Sequence, residues 1–507
     1  MSGSTTELKS LLTSSILVVI GTLFSSSSLI IERIVIARYL SVDLYGEVSI
    51  GISLLTIGVT IALFGFKQGV PRYASRKKNQ SYRRGVWLTG LLFTGGVSLI
   101  LITILFPSVN IINNYLFGGS SSNDLIKLFI LCIPILVALE ITVGMIRGFE
   151  NTVYKISVQD IITPGLRILL LVVLFQLGYG LLAAGYAYLI AMSAAVVISL
   201  VLLDRLIPLQ GEFTFRTREM VLFSAPLLMS TVFAILLTHV DTLLIGFFKS
   251  SFDVGLYSAV YPIATGLSVI LASFGYLYLP LASRLDANGK IDEINNIYKI
   301  TTKWIFILTF PVFLLFVLFP KDILEIFFGT EYQQASTALI ILSIGFFSNA
   351  AYGRNRETLS ALGLTKYIFV ANMLAFCLNI FLNVILIPKY GINGAAAASA
   401  ASYLAMNGIV YVFLKLSHDI SPYSRSSIKT FLILPVLLLP IGISVSDHVN
   451  LSIITIPAFL ISIGGIILII VIITGCLEHD DVVIVESIEN ILGLRIPYVR
   501  SFIPNNK

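Results

Sequence analysis

Residues 158–176 read VQDIITPGLRILLLVVLFQ. Arg167 lies near the middle of an apolar run that approaches the roughly 20 residues a membrane-crossing helix needs. It comes two residues after Gly165 of the pair Pro164-Gly165. A charged side chain at mid-bilayer costs about 2.5–3.5 kcal/mol on insertion scales. A chain keeps such a residue when it is paired or lines a polar path. The same pattern of apolar run with embedded charge recurs at Glu32 and Arg33, at Glu140, at His239 and Asp241, and at Arg354-Asn355-Arg356-Glu357.

Composition agrees with this reading. Of 507 residues, 57% are hydrophobic and only 12% are Asp, Glu, Lys or Arg. Soluble domains carry about 25%. Apolar segments fall near 11–36, 44–66, 86–106, 125–146, 158–176, 181–203, 220–246, 255–279, 304–319, 337–362, 367–387, 393–414, 430–446 and 450–474. The fold class is therefore all-α, a polytopic membrane protein with about 14 transmembrane helices. The first segment is too long for a signal peptide and lacks a clear cleavage site, so it reads as a retained span.

The net charge is +6. In such a protein a basic balance reflects loop asymmetry and implies no nucleic-acid partner. Most Lys and Arg fall at the N-terminus, in 67–84, 147–157, 204–219, 281–303, at Lys366, in 415–429 and in the tail. These loops share one side, so the positive-inside rule places them and both termini in the cytoplasm of a multi-pass cell-membrane protein. The loops on the other side are short, which argues against an enzyme built on an external domain. Nucleotide loops, dinucleotide fingerprints and zinc spacings are missing from the sequence, and no cofactor is expected. Cys132, Cys377 and Cys476 are too scattered to suggest a disulfide framework or metal site.

The chain reads as duplicated. Lys155–Ala194 lies on Lys366–Ala405 without a gap, matching Tyr179-Gly180 to Tyr390-Gly391 and Ala184 to Ala395. Ser41–Gly46 lies on Ser250–Gly255, a register that sets Glu32 opposite Asp241. This gives two six-helix lobes, 1–210 and 211–418, an added helix pair over 419–476, and a cytoplasmic tail over 477–507. Two lobes of even helix number share one orientation and relate by a pseudo-twofold axis along the membrane normal, with a cavity between them. In the tail, Val483, Ile484, Ile488, Ile491 and Leu492 recur at helical spacing over 480–494. That segment is either a membrane-surface helix or a short packing helix.

Four motifs carry a family likeness: Ala37-Arg38-Tyr39-Leu40-Ser41-Val42-Asp43-Leu44-Tyr45-Gly46; Asp241-Thr242-Leu243-Leu244-Ile245-Gly246 with Val254-Gly255-Leu256-Tyr257-Ser258; Ala361-Leu362-Gly363-Leu364-Thr365-Lys366; and Pro388-Lys389-Tyr390-Gly391-Ile392-Asn393-Gly394-Ala395-Ala396. In this order and spacing the chain resembles the polysaccharide flippase family of the multidrug/oligosaccharidyl-lipid/polysaccharide exporter superfamily. The resemblance implies a transporter moving a lipid-linked oligosaccharide on a polyprenyl phosphate or pyrophosphate from the cytoplasmic to the outer leaflet by alternating access, for surface polysaccharide or glycoprotein assembly. Its implied partners are that lipid-linked cargo, membrane lipids and glycan-assembly proteins; a monomer is the default. A drug or metabolite antiporter of the same fold is the alternative and would show an acid-dominated cavity.

An anionic headgroup needs cations, and arginine's planar fork suits phosphate. Arg33 either faces the cavity or snorkels beside Glu32, while Arg38 reads as interfacial. Arg167 follows a Pro-Gly pair that would unwind the helix. It is either a cavity residue or the partner of Glu140. Glu140 in turn is either a structural partner or a proton or cation carrier. In the run 354–357 the helical 100° step lets at most one arginine face the substrate. Arg354, the deeper one, is the candidate, able to pair with Glu357 three residues on. Arg356 then anchors the cytoplasmic end. His239 and Asp241 invite proton coupling, although residues two apart share no helix face. Asn379 and Asn383 share one, and either bind sugar hydroxyls or join helices, with Asn372 on the same span.

Overall fold

The computed structural model describes residue 21 and residues 24–119, 123–446, 448–478 and 481. Among these residues the ordered secondary structure is helical throughout. Twelve helices are long and apolar enough to cross a membrane. Inside lipid a backbone must satisfy its own hydrogen bonds, and a helix does so within one segment. The first part of the expected first span and, apart from Asp481, the tail segment 480–494 lie outside the described residues. The count of fourteen rests on the sequence.

In chain order the elements begin with α1 (24–39), α2 (Val42–Leu63), α3 (Phe66–Arg76), α4 (Gln80–Leu105), α5 (Val109–Leu116) and α6 (Asn123–Gly148). Next come α7 (Thr152–Lys155), α8 (Thr163–Gln176), α9 (Leu182–Leu206), α10 (Thr217–Phe248), α11 (Ser251–Thr265) and α12 (Leu267–Ala287). The remainder are α13 (Ile291–Leu318), α14 (Pro320–Phe327), α15 (Ser336–Tyr352), α16 (Asn355–Ala361), α17 (Thr365–His418), α18 (Arg425–Ser446) and α19 (Thr455–Ile473). α17 spans 54 residues and breaks at Gly391 (φ 55°, ψ −133°), between the segments read as 367–387 and 393–414.

Three expectations change. The segment 281–303 reads as a loop, yet α12 continues to Ala287 and α13 begins at Ile291. Polar helix ends simply extend past the apolar span. The stretch 337–362 reads as one span, yet it stops at Tyr352 and restarts at Asn355. Between them Gly353 takes φ 58° and ψ −136°, and a Cβ there would lie 2.1 Å from Thr302 Oγ1. Only glycine fits that backbone and that gap. Finally, Pro164-Gly165 does not unwind its helix. A π-helical turn, Ile156–Ile162, precedes α8 and widens the coil just before the proline. Thr163 Oγ1 donates to the Val158 carbonyl at 2.7 Å across that turn.

The chain divides into two compact units, one of Met1–Ala259 with Asn383–Ala395, the other of Val260–Leu382 with Ala396–Lys507. In the first, α6 is the hub, packed on α2, α3, α4 and α9. Leu139, Val143, Val158 and Ala195 form one of its buried clusters. In the second, α13 is the hub, packed on α12, α15 and α18. Phe306 stacks on Phe310 at 5.7 Å, and Phe313 on Phe347 at 4.3 Å. Helix α19 leaves Ile461 and Ile473 about three-quarters exposed (76% and 77%), a lipid-facing surface in a membrane protein.

Candidate functional site

Glu32 on α1 is 1% exposed and receives two partners from distant sequence. Arg167 on α8 meets its Oε2 through Nη2 at 2.5 Å and Nε at 2.8 Å. Tyr188 on α9 donates its hydroxyl to Oε1. The Arg167 guanidinium also lies 4.5 Å from the centre of the Tyr188 ring. A buried carboxylate is tolerable only with such pairing, and this one has a cation and a hydroxyl.

Arg167 thus pairs with Glu32, not Glu140. Glu140 instead meets Lys67 of α3 at 3.1 Å and accepts from Gln159 at 3.4 Å. The reason is position. Glu140 lies near the end of α6 that α3 packs against, within reach of a lysine whose side chain is 42% exposed.

Arg33 turns away from its neighbour, because successive helix residues point about 100° apart. Its Nη1 donates to Ser49 Oγ of α2 at 3.5 Å. Ser53, one turn further along α2, faces His239 Nδ1 at 3.3 Å. Arg33 and His239 therefore flank one polar strip on α2. Arg38 is exposed.

Asp241 on α10 is fully buried. It accepts from Tyr257 Oη at 2.6 Å and from Asn383 Nδ2 at 2.7 Å. His239 and Asp241 accordingly engage different partners. Asn379 is also fully buried and donates to Ser399 Oγ at 3.4 Å. Both asparagines join helical segments.

Arg354 sits at the break before α16. Its Nη1 meets Glu357 at 3.0 Å and its Nη2 donates to the Ala272 carbonyl at 3.2 Å. The guanidinium occupies the space where a Cβ on Gly275 would fall, 1.2 Å away. Residues 353–354 are not helical, so the 100° step that lets only one of the two arginines face the substrate does not apply. Arg356, rather than Arg354, lines a cavity in the second unit, beside Glu357.

Buried groups that the sequence did not single out include Glu47, Lys303 and Tyr188. Glu47 of α2 is 2% exposed, and the signal was the one used elsewhere, an acid within an apolar span. Lys303 is 1% exposed but falls in a segment read as loop. Tyr188, as an aromatic among 22 tyrosines, carried no distinguishing signal.

The helical core with paired charges buried among apolar helices defines a polytopic membrane protein. Solved structures share its fold. A lipid II flippase MurJ in an inward closed conformation matches with TM-score 0.72 at 15% identity, covering 89% of this chain and 97% of that one. An inward-facing multidrug resistance MATE family transporter matches with TM-score 0.67 at 12% identity, covering 77% and 94%. In sequence, the chain belongs to the family described as polysaccharide biosynthesis protein, which it matches over residues 11–286. Residues 226–385 also match the MatE family. Among relatives, a probable low-salt glycan biosynthesis flippase, Agl15 of Haloferax volcanii, is 25% identical over 405 residues, 78% of this chain and 82% of that protein. A putative O-antigen transporter of Shigella flexneri is 23% identical over 374 residues, 71% and 87% of the two chains.

Proposed function

We propose that this protein is a flippase that carries a lipid-linked oligosaccharide, on a polyprenyl phosphate or pyrophosphate, from the cytoplasmic to the outer leaflet. Two six-helix lobes, 1–210 and 211–418, alternate access to the cavity, both termini are cytoplasmic, and the product feeds surface polysaccharide or glycoprotein assembly. It works as a monomer beside glycan-assembly proteins and performs no catalysis. The observation that carries this reading is the 405-residue similarity to a probable glycan biosynthesis flippase.

The chemistry is compatible with that role. Arg33, Arg167 and Arg354 are the candidate phosphate contacts, and Asn379 and Asn383 the candidate sugar contacts. A phosphate reaching Arg167 would compete with Glu32 for the guanidinium, and the displaced carboxylate would need another partner in its buried site. Such competition gives Glu32 and Glu357 a role in release. Glu140, His239 and Asp241 remain candidates for coupling.

The second reading, a drug or metabolite antiporter, draws on the MatE match. It calls for an acid free to bind a cation, whereas Glu32 and Asp241 are both engaged by donors.

The test is deletion of the gene in its host, with lipid-linked oligosaccharide measured on each leaflet alongside surface glycan. Cytoplasmic-leaflet accumulation with loss of surface glycan is expected. Unchanged glycan, with no functional duplicate in the genome, would move the antiporter to the front.

A further inference from the structure

The break at Gly353 borders a cavity of about 520 Å³ within the second unit. Small-molecule sites typically measure about 300–1,000 Å³. One wall is a chain of carboxamides with a single polarity. Asn355 Nδ2 donates to Asn407 Oδ1 at 3.1 Å, and Asn407 Nδ2 donates to Asn349 Oδ1 at 2.7 Å. Asn355 and Asn407 are each 2% exposed, so packing fixes the chain in place. Its two ends remain for a ligand: the Asn349 amide nitrogen as donor and the Asn355 carbonyl as acceptor.

Arg356 is the cation of this lining. Among the described residues its guanidinium has no ion-pair or hydrogen-bond partner. The acid beside it, Glu357, is held by Arg354 at 3.0 Å. The cavity therefore offers one uncommitted positive charge next to a fixed donor and a fixed acceptor.

We propose that this cavity binds a sugar unit bearing a single negative charge, with Arg356 on its carboxylate and Asn349 and Asn355 on its hydroxyls. A guanidinium takes a carboxylate at two points. A hydroxyl both donates and accepts, as the two ends of the carboxamide chain require. The carrier pyrophosphate is a poor match, because it brings at least two charges to one arginine flanked by a carboxylate. The identity of the ligand as part of the cargo rests on the flippase reading; the binding chemistry does not.

The experiment titrates purified full-length protein in nanodiscs with cellobiouronate, using cellobiose as the uncharged counterpart and inorganic pyrophosphate as the carrier mimic. Cellobiouronate is expected to bind at least about tenfold tighter than either, the scale of one charged hydrogen bond. Arg356→Gln should abolish the preference over cellobiose, and Arg356→Lys should restore part of it. Asn349→Leu should weaken both disaccharides together. Arg356 is partly exposed, so these variants should fold, and an unchanged melting temperature checks it. Equal binding of cellobiose, tighter binding of pyrophosphate, indifference to Arg356→Gln, or no binding at all would each overturn the proposal. Failure here with cytoplasmic-leaflet accumulation in the deletion strain leaves the flippase standing. Binding here without that accumulation removes the flippase and keeps the site.

Discussion

Gly46 and Gly255 pack reciprocally, each against the other's helix. A Cβ on Gly46 of α2 would lie 1.8 Å from the Ser251 carbonyl oxygen, and a Cβ on Gly255 of α11 would lie 2.0 Å from that of Val42. The register that lays Ser41–Gly46 on Ser250–Gly255 pairs Val42 with Ser251 and Gly46 with Gly255. The two contacts exchange under that pairing. Tyr45 adds a hydrogen bond to the Ser258 carbonyl at 2.9 Å.

Replacing Gly46 or Gly255 by Ala should therefore force α2 and α11 apart. Backbone cannot move aside as a side-chain tip can, so each change should cost about 1–3 kcal/mol, the usual penalty of overpacking. The two sites share one helix crossing, so the double variant should cost clearly less than the sum of the singles. Thermal unfolding of the four proteins in detergent measures this; strict additivity would mean the crossings are independent.

The Glu32–Arg167 pair makes a second prediction. Arg167→Ala leaves Glu32 buried without its cation, and loss of one partner of a buried pair costs about 3–5 kcal/mol. Replacing both with Leu removes the unpaired charge and should recover much of that loss. Tyr188→Phe removes one hydrogen bond to a charged group, about 1.5–3 kcal/mol. Unfolding midpoints rank the series. A double variant as unstable as Arg167→Ala would argue that the stabilisation comes from packing rather than charge.

These examples show which features the sequence made legible. The spans were readable because lipid forces apolar side chains onto nearly every helical position. The match of Ser41–Gly46 with Ser250–Gly255 was readable, whereas the packing of the two glycines on each other's helix was not. The partners of buried charges were not, since Glu32 and Arg167 stand 135 positions apart and only the packing of α1 against α8 brings them together. Glu140 looked equally suitable, and nothing local told the two acids apart. The break at Gly353 failed for a different reason. An isolated glycine in an apolar run is usually tolerated within a helix. Here the close approach of Thr302 on another helix fixes its backbone.

Gly353→Ala should be destabilising twice over, by its positive φ and by the 2.1 Å approach to Thr302 Oγ1. The backbone part alone amounts to about 1–3 kcal/mol. Adding Thr302→Ala relieves the clash but not the backbone, so rescue should be partial. Full rescue, read from melting temperatures, would show that the dihedral carries no cost. The same variants should weaken cellobiouronate binding, because Gly353 lines the cavity that Arg356 shares.

Lys303 and Asp481 provide the last test. The lysine is 1% exposed, the aspartate fully buried, and Nζ lies 2.5 Å from Oδ2. Asp481 also accepts from Trp304 Nε1 at 2.8 Å and from the Glu478 backbone at 2.7 Å, while Lys303 donates to the Cys476 carbonyl at 3.2 Å. The pair thus ties the chain after α19 to the middle of the α13 hub. Asp481→Ala removes the nearest anion of the ammonium, leaving Glu478 at 3.8 Å, and should cost up to about 3–5 kcal/mol. Asp481→Asn keeps an acceptor for Trp304 and should cost less. Ending the chain at Glu478 removes the same carboxylate and should destabilise as much as Asp481→Ala. A shift in tryptophan emission should accompany both, because Trp304 loses its partner in each. A truncated protein as stable as the full chain would mean that Lys303 finds solvent or another acceptor, and that the pair holds nothing in place.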